Sequence, residues 1–244
     1  MDINPLIVMM SVRSLQPCKY WFSQYQRFDQ LLIQGFPHHE AHEISQRFFH
    51  GRKEYTHLWI WCEDIIATPS QADLLVEGVE KHGFKVLSGY TNYHFGRYWS
   101  NVTVKDVSKL NPVLADQYGF LDIRDLACRG LENPYLKVSF VGLPFTIIER
   151  KIVEEIGFKP FKYVSDRVLG SFQRRGIMFD LRFCQECAKR DIHIYIDLRL
   201  ALLHYGDTRY LIAKQRPPKA IKFRKAGERD FKEIKVDVKQ LEGA

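Results

Sequence analysis

The chain has 244 residues, 45% of them hydrophobic, and a formal charge of +7; that is apolar material for one sizeable domain, and no apolar run is long enough to span a bilayer. Five scattered cysteines, Cys18, Cys62, Cys128, Cys184 and Cys187, fit reduced thiols better than a disulfide framework. The opening Met-Asp-Ile-Asn lacks the basic start of a secretory signal, so a cytoplasmic location is expected.

In chain order, Pro5 to Val12 is a buried strand, and Cys18 to Phe28 and His38 to His50 read as helices. Thr56 to Cys62 is a second buried strand, which makes a βαβ beginning. Ser70 to His82 follows as a helix, with Ala72, Leu75, Val76 and Val79 at helical spacing and Ser70 with Asp73 as a partial cap. Phe84 to Ser88 is a strand, and the aromatic stretch Tyr90 to Val104 suits a hairpin or a binding loop. Residues 105–134 carry weak periodicity and several turn residues. Tyr135 to Val141 resumes a strand pattern, Gly142-Leu-Pro144 breaks it, and Ile147 to Ile156 reads as a short amphipathic helix. Phe179 to Arg190 is a further helix and His193 to Asp197 a late strand. The last segment, Lys214 to Ala244, holds ten Lys/Arg against five Asp/Glu, while the body is almost balanced. Within it Ala220 to Arg224 and Ile234 to Lys239 alternate apolar with charged residues, as two strands joined by a turn around Gly227 would.

The strand at Thr56 to Cys62 ends abruptly at Glu63 and Asp64. A run that is apolar without alternation is buried on both faces, as in an inner parallel strand, so its terminal charges lie at the sheet's carboxyl edge. Open α/β sheets bind ligands there, and two acids at that place can hold a divalent cation through oxygen. The plainer alternative is that the pair caps the segment after the strand. Two other clusters carry less. Cys184-x-x-Cys187 has no second CxxC to complete a zinc site, and His38, His39 and His42 with Glu40 and Glu43 lack the His-Glu-x-x-His spacing and suit a solvated helix face.

The succession Cys62-Glu-Asp-Ile-Ile-Ala-Thr-Pro-Ser70, Val86-Leu-Ser-Gly-Tyr90, Val141-Gly-Leu-Pro-Phe-Thr-Ile-Ile-Glu-Arg150, Phe179-Asp-Leu-Arg-Phe-Cys184 and Leu203-His204 resembles glycosyltransferases of the GT-A fold, family-2-like ones above all. The resemblance implies a Rossmann-related, mixed but mostly parallel sheet flanked by helices over residues 1–213. A basic C-terminal extension, a β-hairpin or tail, occupies 214–244. It also implies transfer of a sugar from a nucleotide-sugar donor to a glycan, protein or lipid acceptor, with Mn²⁺ or Mg²⁺ at the diphosphate. Asp64 matches the last Asp of the family's Asp-x-Asp motif. Glu63 precedes it as a further metal and donor ligand, and Cys62, a poor partner for hard cations, stands where the first Asp would be. His204 matches a late metal-binding histidine, and Asp180 an acid that deprotonates the acceptor hydroxyl. Gly142 matches a glycine that lets the backbone approach the substrates, with Pro144 in place of a second glycine, and Ser11 and Arg13 fall where the first loop meets the nucleotide. Two competing readings are a non-catalytic nucleotide or glycan binder, and a nucleic-acid-binding protein using the basic tail and the aromatics Tyr90, Tyr93, Phe95, Tyr98 and Trp99. The tail also suits contact with an anionic membrane, or simply a solvated edge hairpin.

Overall fold

Seven consecutive buried residues make β1 (Pro5–Ser11) the hub of the structure, a computed structural model that describes residues 2–11, 15–92, 98–110, 119–130, 133–158, 179–205 and 217–235. After it come α1 (Gln16–Gln24), β2 (Gln30–Gln34), α2 (His38–His50), β3 (His57–Trp61), β4 (Ile65–Ile66), α3 (Pro69–His82), β5 (Val86–Thr91) and β6 (Val102–Thr103). The second half contains α4 (Ile123–Arg129), β7 (Tyr135–Val138), β8 (Phe140–Val141), β9 (Phe145–Glu149), α5 (Arg150–Glu155), α6 (Phe179–Lys189), β10 (Ile194–His204), β11 (Ala220–Arg224) and β12 (Lys232–Glu233).

One ten-stranded sheet runs β12-β11-β2-β1-β3-β9-β5-β10-β4, with β7 also on β10. β1 pairs in parallel with β2 and β3, and β5 with β10, whereas β9 is antiparallel to both β3 and β5. The sheet is thus mixed: a set of co-directional central strands is interrupted by one reversed strand and flanked by antiparallel edges. Alternation along β1 feeds two cores. Leu6, Val8 and Met10 enter the layer under α2, α4, α5 and α6, and Ile7 and Met9 enter the layer under α1 and α3, where Trp59, Trp61 and Phe145 pack edge to face. That is an α/β fold with helices on both faces. Among the described residues, no helix is long and apolar enough to cross a membrane, and none of the five cysteines is in a disulfide.

Several elements differ from their sequence expectation. β2 was hidden because only three apolar residues stand between Gln30 and Gln34, and Gln30 is itself buried. The stretch from Phe145 to Glu149 is a strand and the helix begins only at Arg150, because a short apolar run carries no period that separates strand from helix. The strand expected over Tyr135 to Val141 divides at Ser139 into β7, which pairs with β10, and β8, which pairs with β6. The cap of α3 is Thr68 in a reciprocal box with Gln71, two residues earlier than the expected Ser70. The C-terminal hairpin turns at Gly227, whose φ of 76° suits glycine, and β11 pairs antiparallel with β2, so the hairpin extends the main sheet. Its second strand starts earlier than expected, at Lys232, and residues 236–239 lie outside the described residues.

Candidate active site at the carboxyl edge of the sheet

Because β1, β3, β5 and β10 point the same way, their last residues, Ser11, Trp61, Thr91 and His204, reach a common edge. The reversed β9 starts there, which puts the turn Gly142-Leu143-Pro144 at the same edge: the Cys62 amide donates to the Pro144 carbonyl at 2.9 Å. α6 leads into β10 and so opens toward that edge, with Phe179 tilted against His42 of α2 at 4.3 Å between ring centroids.

After Trp61 the chain runs along the edge to β10. Ile65 and Ile66 pair antiparallel with His204 and Leu203, and the Tyr205 amide donates to the Asp64 carbonyl at 2.7 Å. This short ladder fixes two side chains from distant parts of the sequence: Asp64 Oδ2 lies 3.2 Å from His204 Nε2, and the side chains are 14% and 8% exposed. The pair is screened from bulk water yet reachable. Glu63 is buried, and its carboxylate opposes the lowering of the Lys19 pKa, which burial chiefly causes and Lys222 reinforces. Lys19 Nζ in turn donates to Gln34 Oε1 at 2.9 Å. The two adjacent acids therefore serve different neighbourhoods. Among the described residues, no group of three or more His, Cys, Asp or Glu side chains is arranged to hold a metal, so Glu63 does not complete a cluster with Asp64 and His204. The Cys62 thiol donates to the Leu143 carbonyl at 3.4 Å.

Asp180 sits in the first turn of α6 and accepts a hydrogen bond from its neighbour's amide, Leu181 N to Oδ1, at 2.8 Å. That bond and the helix dipole favour the carboxylate, but burial outweighs them and raises the pKa from 3.8 to about 6. Ser11 is buried, and among the described residues its Oγ has no hydrogen-bond partner. Gly142 sits in close approach: a Cβ there would stand 3.0 Å from Asn101 Nδ2, which would have to give way, and its amide donates to the Asn101 carbonyl at 3.1 Å. Leu143, not a glycine, takes the left-handed conformation of that turn, with φ 45°. Asn101, absent from the sequence reading, also accepts from the Thr91 amide through Oδ1 at 3.0 Å and so joins the end of β5 to the turn. An asparagine in an aperiodic stretch gives no one-dimensional signal of that role. Arg13 lies outside the described residues.

Of the discounted clusters, the cysteine pair is core, whereas His39 and Glu43 are exposed and His38 and Glu40 half-buried on the outer face of α2. Burial raises the Cys184 thiol well above its usual pKa and Cys187 to about 12, and Cys184 donates to the Val141 carbonyl. His42 is not on the solvated face expected of it: it packs between Phe158 and Phe179, and burial lowers its pKa to about 3.

A mixed sheet covered by helices on both faces, with Asp64 and His204 meeting at its carboxyl edge, defines an α/β protein, and in open sheets of this kind that edge is where ligands bind. No family model matches the chain, and no curated protein matches it. Among solved structures it is similar to one described as "Crystal Structure of A197 from STIV", with a TM-score of 0.50 and 18% identity over 84% of this chain and 95% of that one. At that identity the likeness concerns the fold alone.

Proposed function

We propose that the protein is a GT-A-like glycosyltransferase that moves a sugar from a nucleotide-sugar donor to an acceptor, with a divalent cation at the donor diphosphate. The observation that carries this reading is the meeting of Asp64 and His204 at the sheet's carboxyl edge, the two residues that the family resemblance singles out. Adjacent ligands of an octahedral ion with bonds of ~2.1 Å stand about 3 Å apart, and the separation of Oδ2 and Nε2 is 3.2 Å. Carboxylate and imidazole would hold one Mn²⁺ or Mg²⁺ there. When bound, the cation supplies positive charge against the leaving diphosphate.

The chain's own groups have these roles. Ser11 and the half-buried Lys19 lie toward the donor's nucleotide, and the Glu63 carboxylate favours the charged form of Lys19 against its burial. Gly142 lets the turn backbone come close to the sugar. In an inverting course the acceptor oxygen bonds to the anomeric carbon as the sugar–phosphate bond breaks, the bonding pair leaves with the diphosphate, and the hydroxyl proton passes to the Asp180 carboxylate. The test is release of nucleoside diphosphate from a panel of UDP-, GDP- and dTDP-sugars, with Mn²⁺, Mg²⁺ or chelator. Metal-dependent release that falls at least ~100-fold in Asp64→Ala and in His204→Ala is expected. No turnover with any donor of the panel would end the enzymatic reading. The second reading, a non-catalytic nucleotide binder, is favoured by one observation: Cys62 replaces an acid, and its thiol serves the Leu143 carbonyl. It predicts nucleotide binding without turnover.

A further inference from the structure

Tyr98 and Trp99 are large aromatics left about half exposed, at 51% and 53%. Single exposed apolar residues are ordinary, but these two are adjacent and firmly mounted. The Ile123 amide donates to the Tyr98 carbonyl at 2.7 Å, Trp99 bridges Asp122, and Ser100 donates to the Leu121 carbonyl through both its amide and its hydroxyl at 2.8 Å. The Arg124 guanidinium lies over the Tyr98 ring, 4.1 Å from its centroid, and is fixed by a fork to Asp122 with contacts of 2.9 and 2.5 Å. The segment also joins the site. Ser100 bridges Asn92, and Asn101 reaches both Thr91 and Gly142.

We infer that Trp99 and Tyr98 form a stacking platform for a neutral glycan, which serves as the acceptor; that acceptor role rests on the transferase reading. Rigid aromatic faces lose little entropy on binding, and their flat apolar rings suit the C–H faces of pyranoses, while polar neighbours such as Asn92 and Asn101 suit hydroxyls. Stacking of nucleobases would use the same rings but needs cations along the phosphate track. Here the charges of residues 121–125 are Asp122, Arg124 and Asp125, and Arg124 is engaged with Asp122, whose pKa it lowers to about 2. That local balance repels a polyanion and tolerates an uncharged sugar.

The experiment measures binding of the full chain to immobilised glucose-, mannose-, galactose- and N-acetylglucosamine-terminated oligosaccharides, in chelator and without donor. The wild type should bind at least one of them, Trp99→Ala and Tyr98→Ala should each weaken that binding at least ~10-fold with unchanged circular dichroism, and Trp99→Phe should keep it within about threefold. The inference is overturned by no binding on the panel, by binding that survives Trp99→Ala, or by a preference for oligothymidylate that Trp99→Ala removes. Because neither donor nor metal is present, a failure here leaves the transferase test standing, and a failure of turnover leaves the platform standing.

Discussion

At the residue scale, Asp180 combines a helix start, a backbone hydrogen bond and burial, and burial decides its chemistry. With a pKa of about 6 it is a carboxylate at neutral pH and an acid below, so as a base it loses effect as the medium is acidified. The transferase reading then predicts that kcat/KM falls about tenfold per pH unit below ~6. Asp180→Asn should lower the rate roughly 10²–10⁴-fold and abolish that limb, and a pH–rate profile of the two proteins decides it. Stability moves the other way. The folded pKa is above the unfolded one, so the group's stabilising contribution is full below pH 3.8 and is lost as pH rises through about 6. Removing the charge should therefore stabilise the fold at pH 8 by on the order of 1–3 kcal/mol, with the gain shrinking toward pH 5. Urea denaturation at both pH values is the measurement, and an Asp180→Asn protein less stable than wild type at pH 8 would contradict the assigned burial.

At the element scale, the C-terminal hairpin is held by one buried guanidinium. Arg224 donates through Nη1 to the carbonyls of Ser23 at 2.9 Å and Arg229 at 3.3 Å, and through Nη2 to Tyr25 at 3.2 Å and to Gln30 Oε1, while Phe231 lies against its face. The Gln30 amide also holds the Phe22 and Tyr25 carbonyls, so β11, β2 and the end of α1 share one network. Arg224→Ala strands several buried acceptors and should cost roughly 2–4 kcal/mol in urea unfolding; Arg224→Lys, which keeps the charge but not the fork, should recover less than half of it. Truncation before β11 should expose the β2 edge and cause aggregation, seen by size-exclusion chromatography. The same network explains an illegible strand: Gln30 looks like a loop residue until Arg224, distant in the chain, gives it a buried partner. β9 was illegible for another reason, since Phe-Thr-Ile-Ile fits a buried strand and a buried helix equally well. The hairpin turn at Gly227 was readable because both its alternation and its glycine are local signals.

At the scale of the whole molecule, readable and unreadable features divide by range. β3 was visible as an apolar run closed by two acids, and that simple pattern sufficed to mark Asp64 as an edge residue; His204 was singled out by the family resemblance alone, since the late strand expected to end at Asp197 continues to His204. Their approach to 3.2 Å follows from the order of strands, which no local pattern encodes. That order also makes the two cores one unit, because each central strand feeds both faces. It buries two histidines at very different places, His42 beneath α6 and His57 at the start of β3, and burial lowers their pKa values to about 3 and about 4. Both folded values lie below the unfolded 6.5, so the stability they contribute is full above pH 6.5 and is lost as pH falls through the folded values. Between pH 6.5 and 4.5 the unfolded chain thus takes up close to two more protons at these sites, a loss approaching ~2.7 kcal/mol per pH unit. Asp180, which binds its proton more tightly when folded, opposes it by up to ~1.4 kcal/mol per unit. The net expectation is a fold that weakens toward pH 4.5, and more steeply in Asp180→Asn. Because the sheet is shared, that weakening should appear as one transition, with near-ultraviolet signals from Trp59 and Trp61 coincident with far-ultraviolet loss of helix. Two separated transitions would show that the layers on the two faces of the sheet fold independently.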